Sequence, residues 1–175
     1  MAKCSLTDLK RFLSKKSDDQ LKEEIIEIFK LYPNIREYYA VKVNSGNEDE
    51  LLQKYKKIVK NEFFPDRGFG KLRYAILKKA VSDFVKVSKI PTNFAELMVF
   101  YVELGVEFTN TFGDIDEKFY NNILMMYDKA LNYVSKEDLE DIFLRRLRGI
   151  MDRGNGIGWG FSENLCELYY SYFED

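Results

Sequence analysis

The sequence predicts an all-α protein of about nine helices, built as stacked antiparallel helical hairpins in the manner of a helical-repeat superhelix. Three observations lead there. Apolar residues recur at helical spacing along most of the chain, and no segment reads as a strand. Capping patterns precede most of these stretches. Helical patterns also begin near Lys71, Phe94 and Glu117, at a spacing of 23 residues, each after Gly-, Pro- or Asp-rich punctuation. A helix with its connection in that span makes a helix pair in about 46 residues, the size of a helical-repeat unit.

The elements follow in order. Ser5 can cap a helix over 6–15, and Ser17 with Gln20 forms a capping box for 18–32. Leu21, Ile25, Ile28 and Phe29 repeat at helical spacing within the second. Pro33 ends it and starts a short helix to Val43. Asn44-Ser45-Gly46-Asn47 reads as a turn, and Asn47 with Glu50 opens 48–63. An irregular connection from Phe64 to Gly70 leads into a helix over 71–88. Asn93 with Glu96 is a capping pattern for 94–112, which is apolar almost all round and therefore central. Asp114 with Glu117 caps 115–134, and Ser135 with Asp138 caps 136–152. Gly154 supplies a left-handed stop, and Ser162 opens a last helix to Phe173. Short links imply antiparallel neighbours, and no linker divides residues 1–175, so a single domain is expected.

Composition narrows the chemistry. The chain has no histidine, which removes the commonest general base and transition-metal ligand together. Ser-His-Asp, Cys-His and carboxylate-histidine metal sites are excluded on that ground, and no cofactor or metal is expected. Cys4 and Cys166 lack metal-ligand spacing and suggest a reducing, cytoplasmic compartment. The opening residues carry no apolar signal region. The longest apolar run, Leu97 to Val102, is too short to span a membrane. The 14 Phe, 12 Tyr and 1 Trp either pack a core or line a groove. A net charge of −2 argues against a general nucleic-acid binder. That charge is nevertheless divided. Residues 54–89 hold 11 Lys/Arg against 3 Asp/Glu, and residues 91–142 hold 3 against 11.

Three segments have the residues to bind something. Phe63–Arg73 places Arg67, Lys71 and Arg73 around two glycines at an expected helix N-terminus, where backbone N–H groups and the helix dipole suit an anion. The alternative is a glycine turn whose arginines pair with nearby acids. Phe100–Tyr120 lies beyond Glu96 and puts Glu103, Glu107 and Asn110 on one stripe of an apolar helix. Buried unpaired carboxylates are costly, so ion pairs are the favoured reading, with Glu103 or Glu107 meeting Arg67, Lys71 or Arg73. A ligand or metal on these carboxylates is the alternative, although Asp114-Ile115-Asp116-Glu117 lacks the glycine and spacing of an EF-hand. Gly154–Gly160 alternates glycines with Asn155, Ile157 and Trp159, and it is no dinucleotide loop. Its Trp159 either plugs the end of the helical stack or stacks on a ligand. Arg145-Arg146-Leu147-Arg148 reads as a solvated face or a small phosphate patch. The terminal aromatics Tyr169 to Phe173 either seal the last hairpin or mark a dimer contact.

Phe64-Pro65, Arg67 to Arg73, Phe100 to Glu103, Gly105 to Asn110, Gly113 to Glu117 and Gly156 to Phe161 together resemble the motifs of a bacterial domain-of-unknown-function family. Its members are small, single-domain, all-helical proteins. The resemblance covers nearly the whole chain and implies a free-standing cytoplasmic bacterial protein, with no activity attached.

The reading that unites these observations is a non-catalytic, helical-repeat-like module that binds a protein or peptide. Its candidate binding residues are Arg67, Lys71, Arg73, Glu103, Glu107, Asn110, Asp114 and Trp159. The rival is a binder of, or enzyme acting on, a small anionic ligand held by Arg67, Lys71 and Arg73 with Glu103 or Glu107 as acid or base. A third is accessory nucleic-acid binding by the basic 54–89 stretch. Monomer and dimer remain equally open.

Overall fold

A computed structural model of the protein describes residues 4–43 and 48–173. Among them are nine helices and no strand. Contacts divide the chain between residues 45 and 46 into two compact units. The expected turn at 44–47, with Asn47 as a cap, lies outside the described residues.

The first unit holds α1 (Leu6–Leu13), α2 (Asp18–Leu31) and α3 (Pro33–Val43). Both expected capping boxes form. The Ser5 hydroxyl accepts from the Asp8 N–H while Asp8 accepts from the Ser5 N–H, and Ser17 and Gln20 do the same for α2. Tyr32 is extended, as the residue before Pro33 must be. Arg36 Nε donates to the Phe29 carbonyl at 3.1 Å, and a second guanidinium N–H donates to that of Lys30. These bonds satisfy carbonyls left open at the end of α2.

The second unit holds α4 (Glu48–Phe63), α5 (Tyr74–Val87), α6 (Pro91–Phe112), α7 (Glu117–Lys136), α8 (Glu140–Arg153) and α9 (Phe161–Tyr172). Helix α6 lies against α4, α5, α7 and α8, as its all-round apolar sequence requires. Ala95, Leu97, Val99, Tyr101, Val102 and Val106 on it are all but inaccessible to solvent. Rings join the layers: Phe63 meets Tyr101 at 5.4 Å, Phe108 meets Phe119 at 5.8 Å, and Tyr120 meets Phe161 at 4.9 Å. Most of the aromatic content of this unit is therefore core.

Several boundaries differ from expectation, each for a local reason. The starts of α5, α6 and α7 fall at Tyr74, Pro91 and Glu117, so the even 23-residue spacing is not kept. Helix α5 starts late because Gly68–Arg73 is tied back to α4. Helix α6 starts early because Pro91 takes the first turn, where its missing N–H costs nothing. Asn93 is consequently buried inside α6 rather than capping it. Asp116, not Asp114, caps α7 by accepting from the Phe119 N–H at 2.7 Å. Ser135 falls within α7, and Asp138 turns the chain at φ 54°, so α8 begins only at Glu140. Gly160, not Ser162, precedes α9. Gly154 is right-handed, with φ −81°. Its glycine is required by space instead, since a Cβ there would lie 2.3 Å from Leu165 Cδ1.

Gly105 sets the α6–α7 crossing in the same way, since a Cβ on it would lie 2.3 Å from Ile123 Cδ1 and 2.8 Å from its Cγ1. Gly105→Ala is expected to lower stability by about 1–3 kcal/mol through overpacking. Adding Ile123→Val should recover part of that loss, as read by urea unfolding of the two single variants and the double.

Candidate functional site

The loop from Phe64 to Arg73 is fastened by a buried carboxylate. Tyr55, Val59 and Glu62 share the inner face of α4, and Glu62 is only 3% exposed. One of its oxygens accepts from the Arg73 backbone N–H at 3.0 Å and from Arg73 Nε at 3.1 Å, and the other accepts from Nη2 at 2.7 Å. Burial pushes the Glu62 carboxyl up. The hydrogen bonds and charge of Arg73, with the charge of Lys71, more than offset this and leave it below its ordinary value. The Leu72 N–H donates to the Glu62 carbonyl at 3.1 Å, and Leu72 is held at φ 49°, a strained conformation for a leucine. Gly70 presses on the end of α4 so closely that a Cβ would lie 2.2 Å from the Phe63 carbonyl oxygen.

Of the two readings of Arg67, Lys71 and Arg73, an anion site or a glycine turn whose arginines pair with nearby acids, the second is the one Arg73 follows. Arg73 already holds an anion, the protein's own Glu62. Arg67 and Lys71 stand exposed on the outer side of the loop, and neither forms an ion pair within 4 Å among the described residues. Between them Phe69 is 72% exposed. Its ring lies 5.0 Å from that of Phe112 at the end of α6, and Phe64 lies 6.0 Å from Phe112 and 5.7 Å from Phe108.

The acidic stripe of α6 pairs with α8, not with this loop. Glu103 accepts from Arg146 at 3.0 Å and 2.6 Å, and Arg153 lies 3.8 Å from it. Glu96 bonds both Arg146 and Lys56. Burial raises the Glu96 carboxyl, and Arg146 and Lys56 together bring it below its ordinary value. The Arg146 guanidinium is held charged by its bonds to Glu103 and Glu96. The expectation that Glu103 or Glu107 would meet Arg67, Lys71 or Arg73 is thus corrected: α8 covers that face of α6 and brings Arg146 to it. Arg146 is no solvated patch. Glu107 remains exposed, with no ion pair among the described residues. Asn110 Nδ2 donates to the Arg153 carbonyl at 3.0 Å, closing the C-terminal end of α8.

Asp114 belongs to a hydroxyl network. It accepts from the Tyr120 hydroxyl at 2.9 Å, and that hydroxyl lies 2.9 Å from Thr109 Oγ1. Its carboxylate also lies beside Gly158, where a Cβ would stand 3.5 Å from Oδ2. Trp159, at φ 62°, is 63% exposed and plugs nothing. Fully buried Phe161, two residues on, packs on Tyr120 instead. No group of three or more His, Cys, Asp or Glu side chains suited to a metal occurs among the described residues.

The C-terminal turns of α6 thus bring together the loop at Phe64 and Phe69, the end of α8, and the Asp114 network. They do not bring Arg67, Lys71, Glu103 and Glu107 into one pocket. Sequence reasoning passed over Glu62 and Lys56, and read Arg146 as part of a solvated face or phosphate patch. A visible signal existed for Glu62, an acid in register with the apolar stripe of α4, where an unpaired charge is not tolerated.

These features define a helical protein whose polar residues mostly answer one another, with Phe69 and Phe112 exposed together at the end of α6. The chain belongs to a family of unknown function, DUF6155, whose model matches residues 4–174. No curated protein and no solved structure matches it.

Two outcomes check the pairing. Glu62 and Glu96 both titrate below the ordinary glutamate value of 4.5 in the folded chain, so their contribution is complete above that pH and is lost as pH falls through the folded values. Urea unfolding between about pH 3 and 7 should therefore show stability falling on the acid side. Glu62→Gln should flatten that fall while lowering stability at neutral pH by about 1–3 kcal/mol. Arg146→Ala should cost about 1–3 kcal/mol, since it removes both hydrogen bonds to Glu103 and leaves Glu96 with Lys56 alone, whereas Arg67→Ala should change stability by less than about 0.5 kcal/mol.

Proposed function

We propose that this protein is a non-catalytic, helical-repeat-like module that binds a protein or peptide, with the Arg67–Lys71 loop as its recognition element. The observation that carries this reading is the contrast within one short loop. Its base is fixed by buried Glu62, by Gly70 pressed on α4 and by strained Leu72, while its tip exposes Phe69 between Arg67 and Lys71. A fold that merely needed to connect α4 to α5 has no use for a strained backbone under an exposed ring. Aromatic and arginine side chains on a preformed loop are the groups that dominate protein recognition.

The order of contacts supports the repeat-like description. The pairs α4–α5, α6–α7 and α8–α9 touch, and α4–α6, α6–α8 and α7–α9 touch across them. Both cysteines are free, which supports a reducing, cytoplasmic setting. The rival reading, an anionic ligand held by Arg67, Lys71 and Arg73 beside Glu103 and Glu107, is less well supported. Arg73 is committed to Glu62 and Glu103 to Arg146, which leaves no acid-base pair facing the loop cations.

Immobilised wild-type chain should retain a protein partner from a lysate of the source organism. Phe69→Ala and Arg67→Glu should lose that partner while unfolding within about 0.5 kcal/mol of wild type. Equal retention by both variants would remove the loop from the binding surface.

A further inference from the structure

Helix α4 carries a second feature beside the loop. A groove of about 490 Å³ runs along its outer face, lined by Gln53, Lys56, Lys57, Lys60 and Asn61 with Phe100 of α6 and Asp66 of the loop. The α4 residues recur at three- and four-residue spacing, so they form one wall about 12 Å long, the reach of roughly four extended residues. Its cations are not equivalent. Lys56 is neutralised by Glu96 and sits 4.6 Å above the Phe100 ring. Lys57 and Lys60 are exposed and make no ion pair within 4 Å among the described residues. The carboxamides of Gln53 and Asn61 flank them and both donate and accept. Asp66, on the far wall, belongs to the same loop as Arg67 and Phe69, so the groove opens beside the recognition element.

We infer that this groove receives an acidic peptide segment of the protein that the loop recognises, its carboxylates meeting Lys57 and Lys60. The inference rests on the recognition role given to the loop. Charge complementarity selects the occupant, since Lys57 and Lys60 line the groove without an ion pair among the described residues and Asp66 is the one carboxylate among its lining residues. A long polyanion is disfavoured. The wall, about 12 Å long, is too short to track an extended nucleic-acid backbone. The side-chain amides also suit the backbone N–H and C=O groups of a peptide, which an extended segment leaves free.

The test is fluorescence anisotropy of a dye-labelled hexaglutamate peptide titrated with the full chain at low salt. Wild type should bind it, and binding should weaken as salt is raised. Lys57→Glu with Lys60→Glu should weaken it by about tenfold or more, and Phe69→Ala should leave it unchanged. No binding by wild type, or equal binding by the double lysine variant, would overturn the groove assignment. So would tighter binding of a roughly ten-nucleotide thymidine oligomer at the same lysines, which would make the groove a nucleic-acid site. The two readings separate cleanly. If Phe69→Ala abolishes partner capture while hexaglutamate does not bind wild type, the loop stands and the groove falls. If hexaglutamate binding depends on Lys57 and Lys60 while Phe69→Ala keeps the partner, the groove stands and the loop falls.

Discussion

Burial of α6 on nearly every side is the constraint to which the rest of the second unit answers. A helix in which Leu97, Val99, Tyr101, Val102 and Val106 are buried leaves little but the stretch from Glu107 onward to water. It must be enclosed, and α4, α5, α7 and α8 enclose it. Enclosure makes each polar group on α6 expensive unless a neighbour supplies its partner. Arg146 from α8 and Lys56 from α4 serve Glu96 and Glu103, and Tyr120 from α7 serves Thr109. Glu96 and Glu103 therefore act as registration marks between packed helices. They are consumed by the fold, which removes them from the supply of groups free for chemistry.

The same economy explains why the Phe64–Arg73 loop is the better candidate for contact with other molecules. Its inward-facing groups are all engaged. Glu62 takes three hydrogen bonds from Arg73, and Gly70 leaves room only for the end of α4. What remains at the tip is Arg67, Phe69 and Lys71, exposed on a backbone that cannot easily rearrange. Little conformational entropy is left to lose on binding, which is the physical advantage of a preformed recognition loop. The lysine-lined groove along α4 reaches this loop at Asp66.

Much of this was legible in the chain, though unevenly. Capping boxes at Ser5 and Ser17 form as expected because both partners are local and the bonds need nothing beyond the helix itself. The centrality of α6 was legible because an all-round apolar helix has a single stable environment. Asn93–Glu96 and Asp114–Glu117 fitted the same capping pattern and do not cap. Pro91 extended α6 past Asn93, Glu96 was taken by Lys56 and Arg146, and Asp114 was taken by Tyr120. A capping motif is one local use of a carboxylate, and a guanidinium or phenol arriving from elsewhere outcompetes it. The glycines misled in a similar way. Gly154 looks like a left-handed stop, yet its lack of a side chain makes room for Leu165.

The sequence by itself determined the helical class, the absence of histidine chemistry, the family, and which helix lies at the centre. Each of these depends on composition or on spacing within one helix, which the chain carries in its own order. Only the tertiary structure decided who meets whom: Arg73 with Glu62, Glu103 with Arg146, and Phe69 on Phe112 beside solvent. Arg146 and Glu103 lie on different helices, α8 and α6. No periodicity within either helix announces the contact of α6 with α8 that brings them within bonding distance, because that contact depends on how side chains from several helices pack together.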